Sequence, residues 1–180
     1  MPVGATGPLM PRGGAGRPAV ALDAAATRAA ALALLARKPW TRHELARRLV
    51  RRGAPPPVAE GLVTELEARG YLDDRAFARA WVESRGGTRG PRRLRAELLA
   101  RGIERELVDE ALGALRARAD EETRAGEAAR RRLPALRRAA PARVPQRLHA
   151  YLVRRGFAPE IAARVVRAAC PAATGEEGVP

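Results

Sequence analysis

Three glycines, each preceded by an arginine, set the frame of this chain: Gly53 after Arg52, Gly102 after Arg101 and Gly156 after Arg155. Aligned on them without gaps, the sequence repeats itself. Leucine stands eight residues before each glycine (Leu45, Leu94, Leu148) and again four before (Leu49, Leu98, Leu152). Apolar residues return five after (Val58, Leu107, Ile161), nine after (Leu62, Ala111, Val165), ten after (Val63, Leu112, Val166) and thirteen after (Leu66, Leu115, Ala169). Self-similarity at a fixed period outranks other fold signals, because it means that one supersecondary unit is used several times. The glycines lie 49 and 54 residues apart. That unit is too long for one helical hairpin and suits three helices.

Each anchor has a physical reading. Leucines four apart share one helix face, and the glycine that follows supplies the left-handed C-terminal cap. A second helix starts a few residues later, with Pro57 or Pro159 in its first turn, where a missing N–H costs little. Its apolar offsets follow a helical stripe. A further helix precedes each hairpin, at about 22–37, 74–85 and 120–138, with Pro39, Gly86–Gly87 and Pro141 as punctuation. Helix formers dominate, β-branched residues are sparse and nothing alternates with period two. The expected fold is all-α: three tandem three-helix repeats forming an elongated, curved, right-angled-hairpin array. The repeats occupy 21–70, 71–118 and 119–170, between disordered tails at 1–20 and 171–180. Units of this size depend on their neighbours for stability.

Charge sets the class of partner. The chain has 34 basic residues, all arginine but Lys38, against 20 acids, a formal charge of +14. Such a chain seeks polyanions or acidic protein surfaces. Residues 24–70 carry nine bases and four acids, 71–123 eleven of each, and 124–170 twelve bases and two acids. The third unit is therefore the strongest candidate for a phosphate backbone. The middle unit is split, with a basic second helix (Arg92, Arg93, Arg95, Arg101) and an acidic third (Glu104, Glu106, Asp109, Glu110), offering one face to nucleic acid and another to protein. A single cysteine, Cys170, leaves no disulfide framework and no cysteine zinc site. No apolar run approaches the roughly 18 residues of a membrane span, and no secretory pattern opens the chain, so a cytoplasmic protein is expected.

The stretch Thr88-Arg89-Gly90-Pro91-Arg92-Arg93-Leu94-Arg95 puts cations at the start of a helix, where the macrodipole favours acids. A bound anion would account for it, and so would a solvated arginine face in an arginine-biased proteome. Asp73-Asp74 lacks the further carboxylates or histidines of a metal site and reads as an N-cap for the helix holding Phe77, Ala78, Trp81 and Val82. Tyr71 and Leu72 are then expected to pack at the junction of the first two units. The six aromatics, Trp40, Tyr71, Phe77, Trp81, Tyr151 and Phe157, read as scattered core anchors rather than a base-stacking platform. His43 and His149 read as partly exposed helix residues, no Walker-type loop occurs, and no catalytic constellation is present. The expectation is a non-enzyme without metal or cofactor. Arg130-Arg131-Arg132 and Arg137-Arg138 flank Pro134, expected to interrupt its helix, and stand where acids are too few to compensate them.

The run Gly70-Tyr71-Leu72-Asp73-Asp74, then Phe77-Ala78, Trp81-Val82, Arg85, Arg89-Gly90-Pro91, Arg92, Leu94, Glu97, Leu98 and Gly102-Ile103, resembles the RecX regulators of bacterial homologous recombination. Tyr151-Leu152-Val153-Arg154-Arg155-Gly156-Phe157 resembles the family's C-terminal pattern. The resemblance covers about 25–170 and is most specific at 69–115. The long Gly/Pro-rich start, Pro55-Pro56-Pro57 and the near absence of lysine depart from it. It implies a tandem three-helix fold and a cytoplasmic, monomeric modulator that binds the RecA filament and restrains its ATPase, strand exchange and coprotease activities. Single-stranded DNA would be met directly or through the filament. Arg89, Arg92, Arg93 and Arg95 in the second unit, with Arg130, Arg131, Arg154 and Arg155 in the third, are the expected contacts with RecA or DNA. The alternative is a stand-alone basic nucleic-acid-binding helical module.

Overall fold

The computed structural model of the protein describes residues 22–118 and 120–171, and among these there is no strand. Nine α-helices follow in order: α1 (Ala24–Leu35), α2 (Arg42–Val50), α3 (Pro56–Ala68), α4 (Asp74–Arg85), α5 (Pro91–Leu99), α6 (Arg105–Arg118), α7 (Glu121–Ala139), α8 (Val144–Arg154) and α9 (Pro159–Ala169). A 3₁₀ turn, Pro141–Arg143, joins α7 to α8. The expected tails fall outside the described residues, apart from Pro171. None of these helices is long and apolar enough to cross a membrane.

The helices pack in threes, and each triplet has its own hydrophobic cluster. The six repeated leucines before the glycines are all 0 % exposed. At the glycines φ is +99° (Gly53), +76° (Gly102) and +88° (Gly156), the left-handed backbone that a Cβ disfavours. The turn closes the same way three times. The N–H of Ala54, Ile103 and Phe157 donates to the carbonyl of Leu49, Leu98 and Leu152, at 3.1, 3.3 and 3.2 Å. This is the Schellman arrangement, with a buried apolar pair across each turn. Two further repeated positions are buried that the sequence alignment passed over: one after the glycine (Ala54, Ile103, Phe157) and six after (Ala59, Val108, Ala162).

Local capping explains where the first helices begin. Asp23, Asp73 and Asp120 each accept an N–H from three residues on, Ala26, Ala76 and Thr123, at 2.7, 2.8 and 2.6 Å. Asp73 is therefore the cap expected of it.

Three expectations are corrected. α7 runs unbroken through Pro134, which is exposed; Ala125, Ala128, Ala129 and Leu136 hold the helix in the third core on both sides of the missing N–H. Leu72 packs into the first core, but Tyr71 is 58 % exposed. Of the aromatics only Phe157 is a fully buried anchor; Trp40, Phe77, Trp81 and Tyr151 are half-buried. Their partial exposure follows from cores built of alanine, leucine and valine, which leave little depth for large rings.

Candidate basic interface

The units meet through the ends of their second helices. At the first joint the Thr41 hydroxyl, just before α2, donates to the carbonyl of Arg101, just past α5, at 2.7 Å. At the second, the N–H of Gly90, just before α5, donates to the carbonyl of Arg155, just past α8, at 2.8 Å. Counted from their own glycines, donor and acceptor hold the same repeat positions in both joints. The C-terminal end of α8 thus abuts the N-terminal end of α5, and the C-terminal end of α5 abuts the N-terminal end of α2. Opposite ends of helix dipoles attract, so this order is electrostatically favourable.

Glycine is required for the approach. A Cβ on Gly102 would overlap the His43 side chain, and one on Gly156 would overlap Arg93. A Cβ on Gly90 would overlap the backbone of Gly156 and Phe157.

This joint answers the question posed by cations at the start of α5. Gly90 N–H and Arg92 N–H, the latter at 3.3 Å, are occupied by the carbonyls of Arg155 and Gly156. Carbonyls of the turn that closes α8 thus take the two N–H donors that an anion at this helix end would need. Glu97 offsets the positive side chains: it pairs with Arg89 and Arg93 and accepts the Trp81 indole N–H at 3.2 Å. Burial pushes its carboxyl up, but the hydrogen bonds from Arg93, Arg89 and Trp81 together outweigh this and hold it below the ordinary range.

The eight arginines expected to contact RecA or DNA divide into two kinds. Arg89 is bound to Glu97, Arg93 to Glu97 and to the Arg154 carbonyl at 3.1 Å, and Arg95 to Asp109. Arg131 bonds the Gly87 carbonyl and faces Glu127, and Arg155 lies over the Tyr151 ring, 5.1 Å from its centre. Arg92, Arg130 and Arg154 are exposed and have no acidic partner among the described residues. The two clusters touch where Arg93 bonds the carbonyl of Arg154, sixty-one residues away, and where Arg131 bonds the carbonyl of Gly87. Arg132, Arg137, Arg138, Arg143 and Arg147 are also exposed on the third unit and extend its positive surface.

Two charge expectations change. The acidic α6 is partly neutralised within its own unit, since Asp109 meets Arg95 and Glu110 meets Arg75 and Arg79. Arg124, counted with the basic third unit, is 4 % exposed and contributes no surface charge site. One of its Nη atoms reaches the Leu115 carbonyl at 3.4 Å, and burial lowers its pKa from the usual arginine value. No group of three His, Cys, Asp or Glu among the described residues is placed to hold a metal.

The family model described as "RecX, first three-helix domain" matches residues 28–66, and "RecX, second three-helix domain" matches 73–112. The regulatory protein RecX of Streptomyces coelicolor is 40 % identical over 144 residues, covering 79 % of this chain and 76 % of that protein. The chain belongs to the RecX family. The RecX of Thermobifida fusca is 41 % identical over 145 residues, covering 79 % of this chain and 78 % of the relative. A RecX of Thermus thermophilus reaches 54 % over 82 residues, and there the chain spans just over half of the relative, 57 %. The crystal structure of RecX from Lactobacillus salivarius superposes with TM-score 0.64 at 17 % identity, over 81 % of this chain and 95 % of that one. At that identity the likeness is one of fold. The RecX relatives are named regulatory proteins.

Proposed function

We propose that this RecX-family chain is a non-catalytic regulator that binds RecA nucleoprotein filaments and inhibits RecA ATPase, strand exchange and coprotease activity. The observation that carries the reading is that Arg92 and Arg154, exposed and without an acidic partner among the described residues, stand on either side of the joint between the second and third units, with Arg130 exposed on α7 of the third. Arginines without internal partners are free to meet filament carboxylates or the phosphates of bound single-stranded DNA. Arg93, Arg131 and the Arg155 carbonyl hold that joint, while Arg89 and Arg95 are paired within the second unit. The protein acts as a cytoplasmic monomer and needs no cofactor. Laid along a filament, the row of units impedes exchange of recombinase monomers.

The second reading, a stand-alone basic nucleic-acid-binding module, draws support from the third unit, where eleven bases besides the buried Arg124 face two acids over 124–170. Titration into RecA, single-stranded DNA and ATP separates the two. Filament control predicts loss of ATP hydrolysis well below one molecule per recombinase monomer, with no relief by added DNA. Simple competition for DNA predicts relief by excess single strand and a steep fall of binding with salt.

A further inference from the structure

Both tryptophans of the chain, Trp40 and Trp81, line one open groove of about 750 Å³ between the first and second units. Trp40 comes from the turn after α1, Tyr71 from the loop before α4, and Phe77 and Trp81 from one face of α4. Phe77 and Trp81 stack with ring centres 5.7 Å apart and planes 15° from parallel. The polar edge of each indole is already satisfied: Trp40 N–H donates to the Leu34 carbonyl at 3.0 Å, and Trp81 N–H to Glu97. What the rings bring to the groove is therefore hydrocarbon, extended by Ala76 and Ala80.

Cations border this apolar floor. Lys38 Nζ lies 3.8 Å from the Trp40 ring centre, and the guanidinium carbons of Arg85 and Arg101 lie 3.4 and 3.9 Å from that of Trp81. Arg101 is paired with Glu44, but Lys38 and Arg85 have no acidic partner among the described residues. The one carboxylate in the lining, Asp73, is committed to capping α4. Tryptophan, tyrosine and arginine are the residue types that carry most of the energy of protein interfaces. An exposed aromatic surface rimmed by polar groups marks a contact site.

We propose that this groove docks an acidic amphipathic segment of a partner protein. A large apolar side chain of that segment rests on Trp40, Tyr71 and Phe77, and flanking carboxylates meet Lys38 and Arg85. A nucleic-acid strand fits less well, because stacked bases need open ring faces. Here the Trp81 ring carries two guanidinium groups as well as Phe77, and the Trp40 ring carries the Lys38 ammonium. The inference is independent of the recombinase reading and concerns a different joint, so either stands if the other fails.

The test selects dodecamer peptides from a random phage library on the full-length protein, then titrates a tryptophan-free synthetic copy of the leading sequence. Emission of Trp40 and Trp81 reports directly from the groove. The expected sequences join Asp or Glu to Leu, Phe or Tyr, bind saturably and shift the emission. Tyr71→Ala, the double variant Lys38→Glu/Arg85→Glu, and a peptide with Asn and Gln for its acids each weaken binding by at least about ten-fold. Far-UV circular dichroism checks that the variants fold, and Tyr71→Ala removes a ring that is mostly exposed. No enrichment, enriched peptides without acids, or unchanged affinity in Tyr71→Ala overturns the proposal. An oligo-dT strand that shifts the emission, loses that effect in the variants and has no peptide rival assigns the groove to single strands instead.

Discussion

Gly90 donates its N–H to the carbonyl of Arg155, and the Thr41 hydroxyl donates to the carbonyl of Arg101 from the equivalent place one repeat earlier. The repeat thus includes its own connector. A side-chain donor serves in one joint and a main-chain donor in the other, because glycine at position 90 lets two backbones meet.

Gly90→Ala is expected to open the second joint without melting the cores, since its Cβ has only the backbone of Gly156 and Phe157 to enter. Hydrogen exchange should quicken at residues 90–93 and 154–157 while protection in α2 and α3 stays. Unchanged exchange at the joint would show that it tolerates the methyl group.

Thr41→Val removes both the bond to Arg101 and the cap that Thr41 gives Glu44 N–H at 3.1 Å. Thr41 is 0 % exposed, so the lost partners are not replaced by water. A destabilisation of about 1–2 kcal/mol is expected by urea unfolding, with Thr41→Ser losing less because it retains the hydroxyl. Equal loss in both variants would contradict the hydrogen-bond account.

Glu97 sets an acid limit on the middle unit. Its folded pKa lies below the ordinary 4.5, so the stability it contributes is present above 4.5 and is lost as pH falls through the folded value. Glu97→Gln should be less stable than the parent near neutrality, with the gap narrowing as acid protonates the parent carboxyl. Thermal unfolding across that range provides the check; a gap independent of pH would exclude the linkage.

Charge reversal separates contact from architecture. Arg92→Glu, Arg130→Glu and Arg154→Glu combined should weaken inhibition of RecA with little change in melting, because these side chains have no acidic partners among the described residues to lose. Arg89→Glu with Arg93→Glu should also lower the melting temperature, since both arginines hold Glu97. Intact inhibition in the triple variant would remove these residues from the interface.

The sequence by itself determined the repeat, the helices and their stops. Leucines at minus eight and minus four, a glycine cap and an aspartate N-cap act within one or two turns of chain, so their spacing alone is enough to express them. It also placed the arginine clusters, but not what each arginine does. Whether Arg93 is free or bonded to Arg154 depends on residues far apart in the chain, as does the filling of the α5 end by carbonyls of the turn that closes α8. The aromatics show the same divide. Trp40, Tyr71, Phe77 and Trp81 look isolated along the sequence, and only the meeting of two units makes them one groove. Local capping and periodicity are written in neighbouring residues; charge pairing and surface shape arise where distant segments dock, and the tertiary structure alone decides them.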